Sequence, residues 1–146
     1  SKTTHGAPEA VQACRLFSEY ICRALEGRSK RDVLQSDVFV PTEPKIAEIA
    51  GGSYRSKKAD RIRGSGYVVE SLEAALWCFW NSDSYRDAVL MAANLGDDAD
   101  TTAAVCGQLA GAFYGIEGIP LKWRKLLTHH DMILDLAERL AEKSLP

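Results

Sequence analysis

The stretch Asn94-Leu95-Gly96-Asp97-Asp98-Ala99-Asp100-Thr101-Thr102 holds the densest chemistry in the chain: three carboxylates, two hydroxyls and an amide within nine residues. Hard oxygen donors bunched on a turn suit Mg²⁺, Mn²⁺ or Ca²⁺, which prefer carboxylate, hydroxyl and water oxygens. Asp and Thr also serve as N-caps, accepting from the free N–H groups of a first helical turn. A cap needs one such side chain. Three acids in four positions repel one another, though the helix dipole and free N–H groups offset part of that charge. The spacing alone admits both a cation site and a helix cap. It excludes an EF-hand: with Asp98 as the first loop position, Ala103 falls where the Gly belongs and Leu109 where the bidentate Glu belongs.

Two other stretches carry chemistry. In Gly64-Ser65-Gly66-Tyr67, two glycines flank a serine just before a helical pattern, so backbone N–H groups can approach a ligand and the helix start adds positive potential suited to phosphate. Tyr67 offers an aromatic face for a base or sugar. Alone, the tetrapeptide reads as a flexible turn. His5 lies in a turn ahead of Pro8, where a histidine serves as a structural hydrogen-bonder or a functional group.

The elements that position these residues are helical. Pro8 marks a first helical position, and Ala10, Cys14, Phe17, Ile21 and Leu25 recur at three- and four-residue steps until Gly27 closes the helix. A short helix over Ser29–Leu34 carries the basic patch Arg28, Lys30 and Arg31, which reads as a solvated face. Residues 35–44 form a loop, Pro44 opens a short helix to Ala50, and the basic segment Ser53–Arg63 reads as a long surface connection of the kind that carries function. Val68, Leu72, Ala75, Leu76 and Phe79 mark the next buried stripe, with Trp77 and Trp80 to its side. Ser84 and Asp87 form a loose capping box for a helix from Tyr85 to about Asn94. After the acidic turn, Gly107 and Gly111 stand one helical turn apart, and such glycines imply close approach of a neighbouring helix. This central helix would hold the acidic turn rigidly at its head. A helix from Pro120 to Leu127 and another over Asp131–Lys143, with Ile133, Leu136, Ala137 and Leu140 inward, complete the pattern. No strand-like alternation occurs, so the fold class is all-α.

With 146 residues, 46% hydrophobic and 26% charged, the chain has the composition of one soluble globular domain. Its formal net charge of −2 argues against a nucleic-acid partner. No apolar run approaches the roughly 20 residues that span a bilayer, and no signal peptide is visible. Cys14, Cys22, Cys78 and Cys106 form no C-x-x-C pair and read as buried thiols in a reducing, cytoplasmic compartment. The opening Ser1-Lys2-Thr3-Thr4-His5 lacks an initiator Met and looks like the middle of a longer protein.

Three stretches stand in one order and spacing: Thr4-His5-Gly6-Ala7-Pro8-Glu9-Ala10, residues 64–72, and residues 94–104. Together they resemble the C-terminal half of the ADP-ribosylglycohydrolase family, and the last is similar to that family's N-x-G-G-D-x-D-T signature. The resemblance implies that residues 1–146 are the C-terminal portion of a single compact, orthogonal helical domain. It implies a hydrolase with two divalent ions, Mg²⁺ or Mn²⁺, that removes ADP-ribose from a modified protein side chain or small adduct. By matching motif positions, Asp98, Asp100 and Thr101 would be metal ligands, with Asp98 and Asp100 catalytic. Tyr67 would line the ADP-ribose cleft, with Gly64, Ser65 and Gly66 near its phosphates or ribose, and His5 would sit at its nucleotide end. Position 97 departs from the signature, being Asp where the family usually has Gly. The family's N-terminal Gly-Asp-Ala and Thr-Asp-Asp-Thr motifs are absent, so a second chain could supply that half. Three ligands fall short of the six that octahedral Mg²⁺ takes. The alternatives are a non-catalytic ADP-ribose or nucleotide-binding module of the same fold, and a helical interaction module whose acidic turn merely caps a helix.

Overall fold

Local chemistry sets most of the helix boundaries. In the computed structural model, which describes residues 2–144, the chain forms α1 (Pro8–Leu25), α2 (Lys30–Val33), α3 (Pro44–Ala50), α4 (Val68–Trp80), α5 (Tyr85–Ala93), α6 (Ala99–Gly118), α7 (Leu121–Leu126) and α8 (His130–Ser144), with no strand among the described residues. Pro8 stands at the first turn of α1. Gly27, with φ +73°, ends α1 in a Schellman arrangement: its N–H donates to Ala24 O at 3.0 Å, and the Arg28 N–H donates to Arg23 O at 3.3 Å. Ser29 and Ser84 cap α2 and α5 by accepting from the Asp32 and Asp87 amides. The all-α class is therefore as the sequence indicates.

The core forms where α6 lies against α5, α4 and α1. Leu72, Ala75, Leu76 and Phe79 of α4 are buried as the periodicity predicts, and Leu109 and Ala110 of α6 meet them. A methyl built on Gly107 would lie 3.4 Å from the Tyr85 hydroxyl and 3.6 Å from Val89, and one on Gly111 would lie 3.8 Å from the Tyr85 ring. The two glycines thus serve the close approach of α5.

Three expectations are corrected. The inward face of α1 is Ala10, Ala13, Leu16, Tyr20 and Ala24, whereas Cys14 is exposed and Leu25 is 70% exposed. Two apolar stripes lie side by side on this helix, so periodicity cannot choose between them. Cys14 and Cys22 are accordingly exposed, and only Cys78 and Cys106 are buried, their thiols pushed up to about 12 by burial. On α8, which packs on α7, Ile133, Leu136, Ala137 and Leu140 are exposed.

The basic segments are also less solvated than their composition suggests. Lys30 donates to the carbonyls of Phe79 and Ser82 and lies 4.9 Å over the Phe79 ring, a cation placed at the C-terminal end of α4. Residues 53–63 contain two 3₁₀ turns, Ser53–Ser56 and Ala59–Arg61, with Tyr54 and Ile62 buried. This segment is fastened to α4. The Trp77 indole, itself buried, donates to Lys57 O at 2.9 Å, and Lys57 pairs with Glu73 at 2.6 Å.

Glu19 on α1 holds the loop after α2. Its carboxylate accepts from the Ser36 hydroxyl at 2.7 Å, from the amides of Asp37, Val38 and Phe39 at 3.2–3.3 Å, and from Arg23. Burial works to raise its pKa, but the Ser36 hydroxyl, the Val38 and Phe39 amides and Arg23 outweigh it and hold the carboxyl below its usual range. A carboxyl lowered by folding stabilises the fold above its unfolded value, and that contribution is lost as pH falls through the folded value. We expect Glu19→Gln to lower stability by about 2 kcal/mol at neutral pH. In equilibrium denaturation, the wild type should lose this difference below about pH 4.3, the ordinary glutamate value, as the acid is titrated.

Candidate functional site

The acidic turn is shaped by its backbone. After α5, the Leu95 N–H returns to Ala92 O at 3.2 Å, and then Gly96 (φ +77°) and Asp97 (φ +56°) take consecutive left-handed conformations. For Asp97 this costs on the order of 1 kcal/mol, the reason a glycine suits that position, although Asp tolerates it better than most residues. The reversal delivers Asp98 to the N-cap of α6, where its C=O accepts from the Thr102 N–H at 3.1 Å.

Asp98 occupies the cap without spending its carboxylate on it. No backbone N–H of α6 bonds to that side chain. Instead Oδ1 accepts from the Thr101 hydroxyl at 2.9 Å, while a methyl built on Gly66 would lie 3.5 Å from Oδ2. Asp98 is half-buried; Asp97, Asp100 and Thr101 are exposed.

The glycine loop is stitched to this turn. The Asp98 N–H donates to Gly64 O at 2.8 Å. Gly64 is buried against Thr102, and a Cβ there would fall 2.8 Å from Thr102 Oγ1. Thr102 is itself fully buried, and its hydroxyl has no hydrogen-bond partner. The structure therefore brings Gly64, Gly66, Asp98 and Thr101 together, adding Thr102, which sequence reasoning missed.

The other expected residues are placed differently. The Ser65 hydroxyl donates to Glu70 and accepts from the Tyr67 N–H at 3.2 Å, so it organises the turn. The Tyr67 hydroxyl donates to Glu9 and accepts from Lys45 Nζ at 3.0 Å, with the ammonium 4.9 Å over the ring. The Tyr67 hydroxyl in turn holds the Lys45 ammonium above the usual lysine range. Neither Glu9 nor Lys45 was expected. The one signal for Lys45 is a cation in the first turn of α3, where the helix dipole opposes it. His5 is exposed and has no hydrogen bond to Asp98, Asp100 or Thr101.

Beside Gly66 and Thr101 a recess of about 240 Å³ opens between α1, α4 and α6, walled by Cys14, Phe17, Leu72 and Val105. Pockets that enclose a drug-sized ligand measure roughly 300–1,000 Å³, so this recess is smaller than such a site. A larger hollow of about 660 Å³ on the far flank of α1, near Val38 and Phe39, touches none of the expected residues. Among the described residues, no group of three His, Cys, Asp or Glu side chains converges in a way that could hold a metal ion.

We expect Gly64→Ala to lower stability by about 1–3 kcal/mol through the forced contact with Thr102, measured by thermal melting. Gly6→Ala, with open space around its Cβ, should leave the melting temperature unchanged.

The model of the ADP-ribosylglycohydrolase family matches residues 1–145. An ADP-ribosylarginine hydrolase Tri1 from Serratia proteamaculans is 46% identical over 140 residues, covering 96% of this chain and 38% of the relative. Its namesake from Pseudomonas putida is 45% identical, over 99% and 38% respectively. An ADP-ribosyl-dinitrogen reductase glycohydrolase from Rhodospirillum rubrum is 38% identical over 84% of this chain and 39% of its own length. A solved chain described as an ADP-ribosylglycohydrolase-related protein complex superposes with a TM-score of 0.90 at 35% identity, covering 99% of this chain and 50% of that one. The chain thus spans about 38% of the length of the two hydrolases to which it is 45–46% identical.

Proposed function

Because the chain belongs to the ADP-ribosylglycohydrolase family, we propose that it provides the acidic-turn part of a metal-dependent site that removes ADP-ribose from a modified protein side chain. Arginine is the side chain we assign, since the two relatives at 45–46% identity are named for the ADP-ribosylarginine linkage. The observation that carries this reading is the Asp98 carboxylate. It stands at a helix cap, leaves the helix amides alone, and is held by Thr101 toward the glycine loop.

The donor set suits hard divalent cations. Asp98, Asp100 and Thr101 lie on one turn and offer two carboxylates and a hydroxyl, the oxygens that Mg²⁺ or Mn²⁺ prefers. They would hold part of a two-ion site, with further ligands drawn from family sequence that this chain does not span. When bound, such ions supply Lewis-acid stabilisation of developing negative charge. The chain's own residues do the placing. The bare Cα of Gly66 lets a ligand come close to Asp98, the Gly64–Tyr67 loop forms the wall beside it, and His5 would stand at the nucleotide end. A non-catalytic ADP-ribose-binding module is the second reading, favoured by Asp97 at a left-handed glycine position and by the incomplete acidic cluster among the described residues.

In the complete enzyme, Asp98→Ala and Asp100→Ala should each cut release of ADP-ribose from ADP-ribosylated arginine by more than the roughly 10–100-fold that loss of an outer-shell partner costs. Mg²⁺ or Mn²⁺ should raise the melting temperature of the wild type and not of these variants, because a ligand of the folded state stabilises it. Near-normal turnover in both variants refutes the assignment, whereas tight ADP-ribose binding without any turnover in the wild type selects the second reading.

A further inference from the structure

Three elements converge on Tyr67. The Lys45 ammonium, from α3, lies 3.0 Å from the Tyr67 hydroxyl, 4.9 Å from its ring centroid and 4.0 Å from the Glu9 carboxylate of α1. Resting on the nucleotide reading above, we propose that Lys45 is the cation that recognises the diphosphate of the ligand, held at the edge of the cleft by Tyr67 and Glu9.

Stability does not account for the arrangement. Lys45 follows Pro44 at the start of α3, where exposed N–H groups and the dipole disfavour positive charge. Its side chain is 58% exposed, and an ion pair so exposed contributes little to folding. The contacts nevertheless confine the ammonium to one place while leaving it open to solvent.

Electrostatics supplies the reason. Asp97, Asp98 and Asp100 make the acidic turn a poor neighbour for a diphosphate, and Gly66 beside Tyr67 lies directly against Asp98. An anionic ligand entering here is favoured by an opposing cation, and Lys45 of α3 brings one against Tyr67 of this loop. The charged groups that face Lys45 are Glu9 and Glu70, and Glu70 is engaged by the Ser65 hydroxyl. A lysine provides a compact charge with three donors, suited to phosphate oxygens. Its position over the ring also assigns Tyr67 a role: with one face covered by the ammonium, the phenol acts on that side as a support for the cation and leaves no surface there for a stacked base.

The test is calorimetric titration of the complete enzyme with ADP-ribose at low and high salt, for the wild type, Lys45→Met and Lys45→Arg. Lys45→Met should weaken binding about tenfold, the loss of one charge-assisted hydrogen bond, and flatten the salt dependence. Lys45→Arg should restore most of the affinity, and all three proteins should melt together. In hydrolysis, Lys45→Met should raise KM with kcat nearly unchanged. If the wild type binds ADP-ribose and Lys45→Met binds it equally at both salt concentrations, this inference fails and the proposed function stands. A loss that Lys45→Arg does not restore, accompanied by a lower melting temperature, makes Lys45 a structural strut and also overturns it. If the wild type binds no ADP-ribose, the nucleotide reading itself falls and takes the role of Lys45 with it.

Discussion

One hydrogen bond, from the Asp98 amide to the Gly64 carbonyl, carries the geometry of the candidate site. The acidic turn lies between two helices and contains two left-handed residues, so its own backbone preferences would not keep it in place. The bond fixes it to a loop 34 positions away in sequence. The packing around it is close: Gly64 has no Cβ because the Thr102 hydroxyl fills the space where one would be. Here glycine is required by contact, whereas at Gly96 it suits a left-handed backbone. The two glycines answer different physical demands within one small site.

This arrangement separates two tasks that acidic residues at a helix start usually share. The Asp98 carbonyl accepts the first intrahelical bond of α6, from the Thr102 N–H, and its side chain takes no part in capping. The carboxylate remains available to a ligand, oriented by Thr101. Behind it, α6 is seated against α5 at Gly107 and Gly111, which gives the turn a rigid base. The unpartnered hydroxyl of Thr102 is a polar cost of this packing, since a buried group without a partner forfeits its hydration.

Much of this was legible in the sequence. Pro8, Ser29, Pro44 and Ser84 mark helix starts by chemistry that acts within a turn or less, and the structure has helices beginning at or next to each. The acidic turn at the head of a glycine-bearing helix was legible for the same reason. What could not be read depends on partners far along the chain. Cys14 and Ala13 are both apolar and adjacent, so only the packed fold decides that Ala13 turns inward. Lys30 belongs to a basic cluster by sequence, yet the Phe79 carbonyl and ring that receive it lie 49 positions away. Tyr67 announced an aromatic surface, but nothing local indicated that Glu9 and Lys45 would hold its hydroxyl. The inward stripe expected on α8 failed because amphipathicity states that a face can be covered and cannot state what covers it.

Lys30 has a further consequence for the chemistry of the surface. Its amine is crowded by two carbonyl oxygens and lies within 6 Å of the rings of Phe79, Phe113 and Tyr114. An amine so placed reacts slowly with acylating reagents, because its N–H groups are held by the two carbonyls and the rings crowd the approach. Lys58, exposed on the same basic side of the sequence, has no such shelter. The chain therefore carries a built-in footprint: amine labelling that reaches Lys30 reports that α2 has left the end of α4.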